Sequence, residues 1–304
     1  MPTYDVFTSV IAAATATPPA DPYDLVDLAT VKAELRIDSG DITQDANLTR
    51  EITQVSTLIR THCNRIFQLE TVQELIFPPR DAYPYQIPGG AKPLQLTRWP
   101  LIGPPFTLQA GSTTISGTVL TMASTAGVAK NQPVTHRNVP TGALVADFVA
   151  DTSVTLSKAL TGPVLATDSI GFGLAVIITD PPGANTTLVS GIDWLTEFSL
   201  DRSAGDLTKL DQFTGYPTLW PPVQTTVLYQ AGYSTIPADL QDATLRVITM
   251  RNSAQGRDPL LKSREQPGIG TEAYWIGTAP GVKGALPEEV TDLLDGKYRV
   301  PVTA

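Results

Sequence analysis

The chain has 304 residues, about twice a usual domain, so two domains or one domain with a large insertion is the expectation. Hydrophobic residues reach 42%, enough for a core, while charged residues are only 17% against roughly 25% in an average globular protein. A formal charge of −9 argues against a broad basic face for nucleic acid, though not against a surface that nucleic acid slides past; one cysteine excludes an internal disulfide framework and a cysteine zinc site, and two histidines argue against a histidine-rich metal centre.

Residues 1–24 hold Pro2, Pro18, Pro19 and Pro22 among alanines and threonines and read as a loosely packed arm. The apolar run from Val6 to Ala16 has no basic residue before it, which makes it a poor signal peptide, and no run approaches the ~18 apolar residues of a membrane span. The expectation is an intracellular protein, or part of a particle assembled inside a cell. A short helix is expected over Val31–Ile37, with Thr30 as its cap. A longer one is expected over Asp45–Cys63, where Leu48, Ile52, Val55, Ile59, Cys63 and Ile66 recur every three or four residues and Asn64 suits a left-handed cap. Phe67–Phe77 and Leu94–Trp99 read as strands.

From 101 to 176 the composition changes: three basic and three acidic side chains, with 18 serines and threonines. Strands are expected at Thr118–Met122, Leu144–Phe148 and Ser153–Leu156, with turns at Ala126-Gly127, Pro140-Thr141-Gly142 and Thr161-Gly162-Pro163, a spacing that suits a small sandwich or barrel. Further strands are expected at Ala175–Thr179, Trp194–Leu200 and Thr226–Gln230. Pro237 opens a second long helix reaching about Gln255, with Leu240, Ala243, Leu245, Val247, Ile248 and Met250 on its apolar face. Residues 256–286 are rich in glycine and proline without a period and read as a mobile loop; a short helix over Glu288–Leu294 and a tail from Lys297 follow. The expected class is α+β: a helical core with a small antiparallel sheet, plus an inserted all-β domain, sandwich or barrel-like. The arm takes residues 1–24, the discontinuous core 25–110 and 174–255, the insert 111–173, and the loop and C-terminal segment 256–304.

Chemistry motifs are few. The chain has no Walker-type phosphate loop, zinc-protease histidine pair or nucleophile-elbow serine. Gly268-Ile269-Gly270 is a fragment of a dinucleotide fingerprint without a preceding strand. His62, beside the core stripe, reads as structural, His136 as a loop residue, and Cys63 as a small buried apolar group. Asp201 with Asp206, or Glu288, Glu289 and Asp292, could be drawn as acid–base pairs, but turns and an acidic helix start explain them. No catalytic residue, metal ligand or cofactor is assigned, and an enzyme is not expected. The cluster Arg246, Arg251, Arg257, Lys262 and Arg264 is either a solvated basic face or a contact for an acidic neighbour, a partner protein or passing DNA. Leu286, Val290, Leu293, Leu294 and Tyr298 are apolar at helical spacing and cannot bury themselves alone. That stripe must pack either on the parent helices of its own subunit or on a neighbour, and flanking flexibility favours the neighbour or a docking partner.

The order of elements resembles the head–tail connector proteins, also called adaptor or head-completion proteins, of tailed bacteriophages and gene transfer agents. The stretch Leu25–Asp38 resembles the family's opening helix and acidic loop. Cys63-Asn64-Arg65 falls where the family often has Thr-Gly-Arg, Asn replacing Gly as a left-handed cap. Leu96–Leu101 resembles its strand ending in proline, and Gly191-Ile192-Asp193-Trp194 sits where it has an Asp-Tyr pair. The strongest match is Val227–Tyr233 with Ile236–Leu240, which looks like the family's last strand, its Ala-Gly-Tyr exit and its proline-initiated helix; Leu286–Leu294 with Tyr298-Arg299 resembles the C-terminal segment. The block from Gly111 to Gly173 is a departure, with a weaker similarity to Thr/Ser-rich β modules of virion proteins.

The resemblance implies a ring, typically of twelve copies, at the capsid–tail junction of a virion, assembled in the host cytoplasm. Its partners would be further copies of itself, the portal, a tail, stopper or tail-terminator protein, and DNA passing without sequence-specific binding; no membrane is implied. The basic cluster and the C-terminal stripe would then be candidate interfaces to the portal or a neighbouring subunit. The other reading kept open is a tail or baseplate component carrying a binding β module.

Overall fold

A computed structural model describes residues 5–13, 21–77, 93–101, 105–166, 168–180, 183–188, 190–192, 195–253, 263–266, 270–273 and 286–299. The chain divides into two compact units, one of residues 1–13 with 69–232, the other of residues 14–68 with 233–304.

The first unit is built from strands. In chain order they are β1 (Asp5–Ala12), β2 (Glu70–Phe77), β3 (Leu94–Gln95), β4 (Phe106–Gln109), β5 (Val119–Thr121), β6 (Val134–Thr135), β7 (Val145–Val149), β8 (Ser153–Leu156), β9 (Ser169–Phe172), β10 (Leu174–Asp180), β11 (Ala184–Leu188), β12 (Ser190–Ile192), β13 (Leu195–Thr196), β14 (Phe198–Asp201), β15 (Asp206–Lys209) and β16 (Gln224–Ala231). An antiparallel five-stranded sheet runs β1-β2-β16-β10-β11, and a three-stranded one runs β14-β15-β3. Strand alternation sends Val72 and Ile76, Val227 and Tyr229, and Val176 and Ile178 to one face of the large sheet. There they join Leu94, Leu96, Phe198, Leu207 and Trp220 in one core.

Glu74 shares that face and is fully buried. A buried carboxylate needs donors. Tyr229 donates its hydroxyl to Glu74 at 2.5 Å, the Thr97 amide donates at 2.9 Å, and the Thr97 hydroxyl donates as well. The Arg98 amide in turn donates to the Tyr229 oxygen at 3.2 Å. These bonds seat the 94–99 stretch on the sheet. That stretch is therefore a two-residue strand followed by a polar strap, not the six-residue strand the alternation suggested.

The described residues between 105 and 173 form two three-stranded antiparallel sheets, β4-β9-β6 and β5-β8-β7, and no closed barrel among them. Leu120, Val145, Val154, Leu156, Val164, Ile170 and Phe172 form their common core. A Cβ on Gly171 of β9 would lie 2.3 Å from the Thr135 hydroxyl on β6, so a larger residue there would force Thr135 into another rotamer. The block is tied to the large sheet: Thr71 donates to the Asn131 carbonyl at 2.7 Å and Gln230 to the Lys130 carbonyl at 3.0 Å. Thr71 and Gln230 are both buried.

The second unit holds the helices α1 (Leu28–Glu34), α2 (Asp45–Cys63), α3 (Ala238–Ser253) and α4 (Glu288–Asp295), with a hairpin of β17 (Ser263–Gln266) and β18 (Gly270–Ala273). Leu25, Val31, Leu48, Ile52, Val55, Ile59, Cys63, Phe67, Leu240, Ala243, Val247 and Ile248 form its core together with residues of α4. α2 has the expected bounds, and Asn64 takes the left-handed conformation (φ 50°, ψ 45°) that ends it. Gly232 (φ 108°) leaves β16 in a backbone state that favours glycine, and Pro237 then starts α3, its carbonyl accepting from Leu240 and Gln241.

Four expectations are corrected. Part of the expected arm is strand β1, paired to β2 through seven register partners from Asp5↔Phe77 to Ala12↔Thr71. α1 starts earlier than expected because Asp27, not Thr30, caps it: the Asp27 carboxylate accepts from the Thr30 amide at 2.7 Å. The stretch read as a mobile loop holds the β17–β18 hairpin, and Gly270 opens β18 instead of a phosphate loop. Lys297–Arg299, read as tail, continue from α4, and Tyr298 is buried. Among the described residues no helix is long and apolar enough to cross a membrane.

Candidate assembly surface

The C-terminal stripe has a partner already. Leu286, Val290, Leu294 and Tyr298 are buried in the helical core of their own unit, and the Tyr298 ring meets Phe67 edge-on at 5.7 Å. Polar contacts complete the fit. Asp239, at the start of α3, accepts from Tyr298 Oη at 2.5 Å and from Lys297 Nζ at 2.6 Å. Burial alone would raise the Asp239 carboxyl, but those two donors outweigh it and hold it below the usual range. The Tyr298 phenol is pushed up to about 12, by burial first and then by its bond to Asp239. His62 Nε2 lies 2.6 Å from Asp295, which also bonds Arg299 at 3.1 Å. The favoured expectation, that these four apolar residues face a neighbour or the portal, is therefore corrected in favour of packing on the parent helices. An amphipathic helix this short buries its stripe on the nearest apolar surface, and α2 and α3 supply one. Leu293 is the exception on this helix, 37% exposed.

The basic cluster is dispersed. Arg246 is drawn into ion pairs with Asp242 (2.9 Å) on its own helix and Glu289 (3.9 Å) on α4. Arg251 is half-buried, and its charge acts on the Glu51 carboxyl, which burial raises. Arg264 lies on β17 opposite Glu272. Arg257 and Lys262 lie outside the described residues. Arg246 and Arg251 thus act on acidic groups of the same unit.

The other candidates for chemistry are also satisfied. His136 Nδ1 accepts from the Asn138 amide at 3.1 Å, so Nε2 carries the proton and faces Asp168 at 3.2 Å. Burial lowers the His136 imidazole and Asp168 pulls it partly back. With both nitrogens engaged, this histidine ties two loops and has no nitrogen left for a substrate. Asp201 accepts from Ser203 Oγ and from the amides of Ser203 and Ala204, which hold its carboxyl below the usual range. Cys63 is buried, its thiol pushed up to about 11 by burial first and then by Asp295. Among the described residues no group of three His, Cys, Asp or Glu side chains is placed to hold a metal ion.

Several large apolar side chains are exposed as well. The loop after β15 puts Phe213 85% and Tyr216 73% into solvent. The loop itself is well ordered by bonds. Asp211 accepts from the Phe213 and Thr214 amides (3.1 and 2.8 Å) and from the Thr214 hydroxyl (2.9 Å). The Gly215 amide donates to the Asp211 carbonyl, and the Asp211 amide to the Tyr216 carbonyl. The aromatics are thus held on a fixed turn. At the other end of the β14–β15 hairpin an open pocket of about 630 Å³ lies between Pro100-Leu101 and Ser199–Ser203. β1 forms a sheet edge with Phe7, Val10 and Ile11 exposed. Sequence reasoning passed over Phe213 and Tyr216. The available signal was two aromatics spaced around Asp-x-x-Thr-Gly, a turn pattern that leaves them no strand face to pack on.

No protein-family model matches the chain, nor does any curated protein. Among solved structures, a chain from the neck of an empty gene transfer agent particle, computed with C6 symmetry, aligns over 98% of this chain and 98% of its own. Its identity is 14% and the TM-score 0.39. A chain from the virion of a native gene transfer agent particle aligns over 98% of this chain and 97% of its own, at 13% identity and a TM-score of 0.36.

Proposed function

We infer that the chain is a structural virion protein of the head–tail connector type: a ring, of about twelve copies in the family it resembles, that joins the portal to the tail side and extends the DNA channel. The observation that carries this reading is the stretch from β16 to α3. A buried strand ends at Ala231, Gly232 turns the chain with positive φ, Tyr233 donates its amide to the Phe67 carbonyl, and Pro237 launches α3. These are the residues of the strongest family resemblance, and each has a mechanical task here. The exposed aromatics fit the same role, since assembly surfaces favour Tyr and Phe. So does the charge: copies at −9 each would line a channel that repels phosphate and lets DNA slide. The satisfied state of His136, Asp201 and Cys63 supports a structural rather than a catalytic role. The residues from 111 to 173 are proposed as a module added to the connector core. A producing culture lacking this chain tests the reading: DNA-filled heads without tails are expected, and tailed particles at normal yield would overturn it.

A further inference from the structure

We propose that Phe213 and Tyr216 are a knob that enters the pocket beside Arg202 on a second copy of this chain. The inference deepens the ring-forming reading and rests on it.

Knob and socket occupy opposite ends of one hairpin. β14 and β15 pair from Phe198↔Lys209 to Asp201↔Asp206. The pocket lies at the Asp201–Ser203 turn, whereas the aromatic loop departs from the Lys209 end. Four residues of ladder separate them, about 13 Å. The loop cannot fold back to its own socket, because Leu210 bridges to Pro217 and the Thr218 amide donates to the Lys209 carbonyl. Only another molecule can bring the two together.

The surfaces are chemically complementary. Between Leu210 and Leu219 the only charged residue is Asp211, held in its own turn, so the knob presents its two aromatic rings. The socket has Pro100, Leu101 and Leu200 for the rings, and an exposed Arg202 that forms no ion pair among the described residues. A guanidinium stacks on the negative face of an aromatic ring. The carboxylates of Asp201 and Asp211 are both held by their own turns, so the attraction is carried by the guanidinium and the rings. A knob and a socket on different surfaces make a head-to-tail contact, which closes into a ring when the rotation allows.

The test mixes two single variants of the full chain beside the contact, Gln212→Cys and Ala204→Cys, and treats them with a short bis-maleimide under conditions where the protein assembles. Cys63 is buried and stays silent. A 212–204 cross-linked dimer is expected, no 212–212 dimer, and a ladder of multimers from the double variant. The pair Phe213→Ser with Tyr216→Ser should weaken assembly at least tenfold with an unchanged circular dichroism spectrum. Rings that form without the 212–204 link, or a 212–212 link alone, overturn the knob and socket while leaving the ring reading intact. A chain that never assembles overturns both.

Discussion

Removing residues 285–304 should unfold the helical unit, not merely detach a docking tail. The deletion takes Leu286, Val290 and Leu294 from the core, each at most 3% exposed, together with Tyr298. Three buried aliphatic side chains at about 1.5–3 kcal/mol each amount to roughly 5–9 kcal/mol. The lost edge-to-face contact of Tyr298 on Phe67 adds about 0.5–1.5 kcal/mol. That approaches the roughly 5–15 kcal/mol by which a whole domain is stable. A pair of point variants isolates the reasoning from the length change. Leu294→Ala should cost about 2–5 kcal/mol, whereas Leu293→Ala, at a position 37% exposed, should stay within about 1 kcal/mol. Urea unfolding followed at 222 nm measures both. Equal midpoints for the two variants, or a truncated chain that melts like the full one, would show that α4 is not part of the core.

His136 should titrate below the usual histidine range, and the stability of the residue 105–173 block should fall with pH. In the folded state Nδ1 accepts from Asn138 and burial disfavours the cation, so the unfolded chain binds the proton first. Stability is then complete above pH ~6.5 and declines as the pH drops through that value and below. With two histidines in the chain, proton NMR resolves the titration, and a value above the usual range would refute the tautomer assigned here. Cys63 should resist Ellman's reagent at pH 8 in the folded protein and react on unfolding, because its thiol is buried and raised to about 11; quick labelling of the native chain would contradict its placement. Deleting residues 112–172 should lower the melting temperature of the strand unit while the helical signal persists, because Thr71 and Gln230 lose their acceptors at Asn131 and Lys130; an unchanged melt would make the insert a free satellite.

The legible parts of the fold are those whose signals are local. α2 shows its bounds because its stripe, its proline-free interior and Asn64 all agree. β16, the turn at Gly232 and the start of α3 at Pro237 are legible for the same reason. β1 was missed because an edge strand exposed on most of its length carries little alternation: Phe7, Val10 and Ile11 all face solvent. The β17–β18 hairpin was missed because Ser-Arg-Glu-Gln and Gly-Thr-Glu-Ala are weak strand formers held by pairing. The interface was harder still. The C-terminal stripe was visible, but what covers it depends on where α2 and α3 place their own apolar faces, which no spacing reports. Lys32 shows the same limit: it is buried, with its ammonium on the Asp41 carbonyl (2.9 Å) and the Asp45 carboxylate (2.5 Å), partners set by a loop return.

Cryo-electron microscopy of the intact particle tests the central claim most directly. This chain should appear as a closed ring between portal and tail, with the Phe213 loop of each copy seated beside Arg202 of the next. Density for the chain at the baseplate, or as isolated copies outside the head–tail axis, would contradict it.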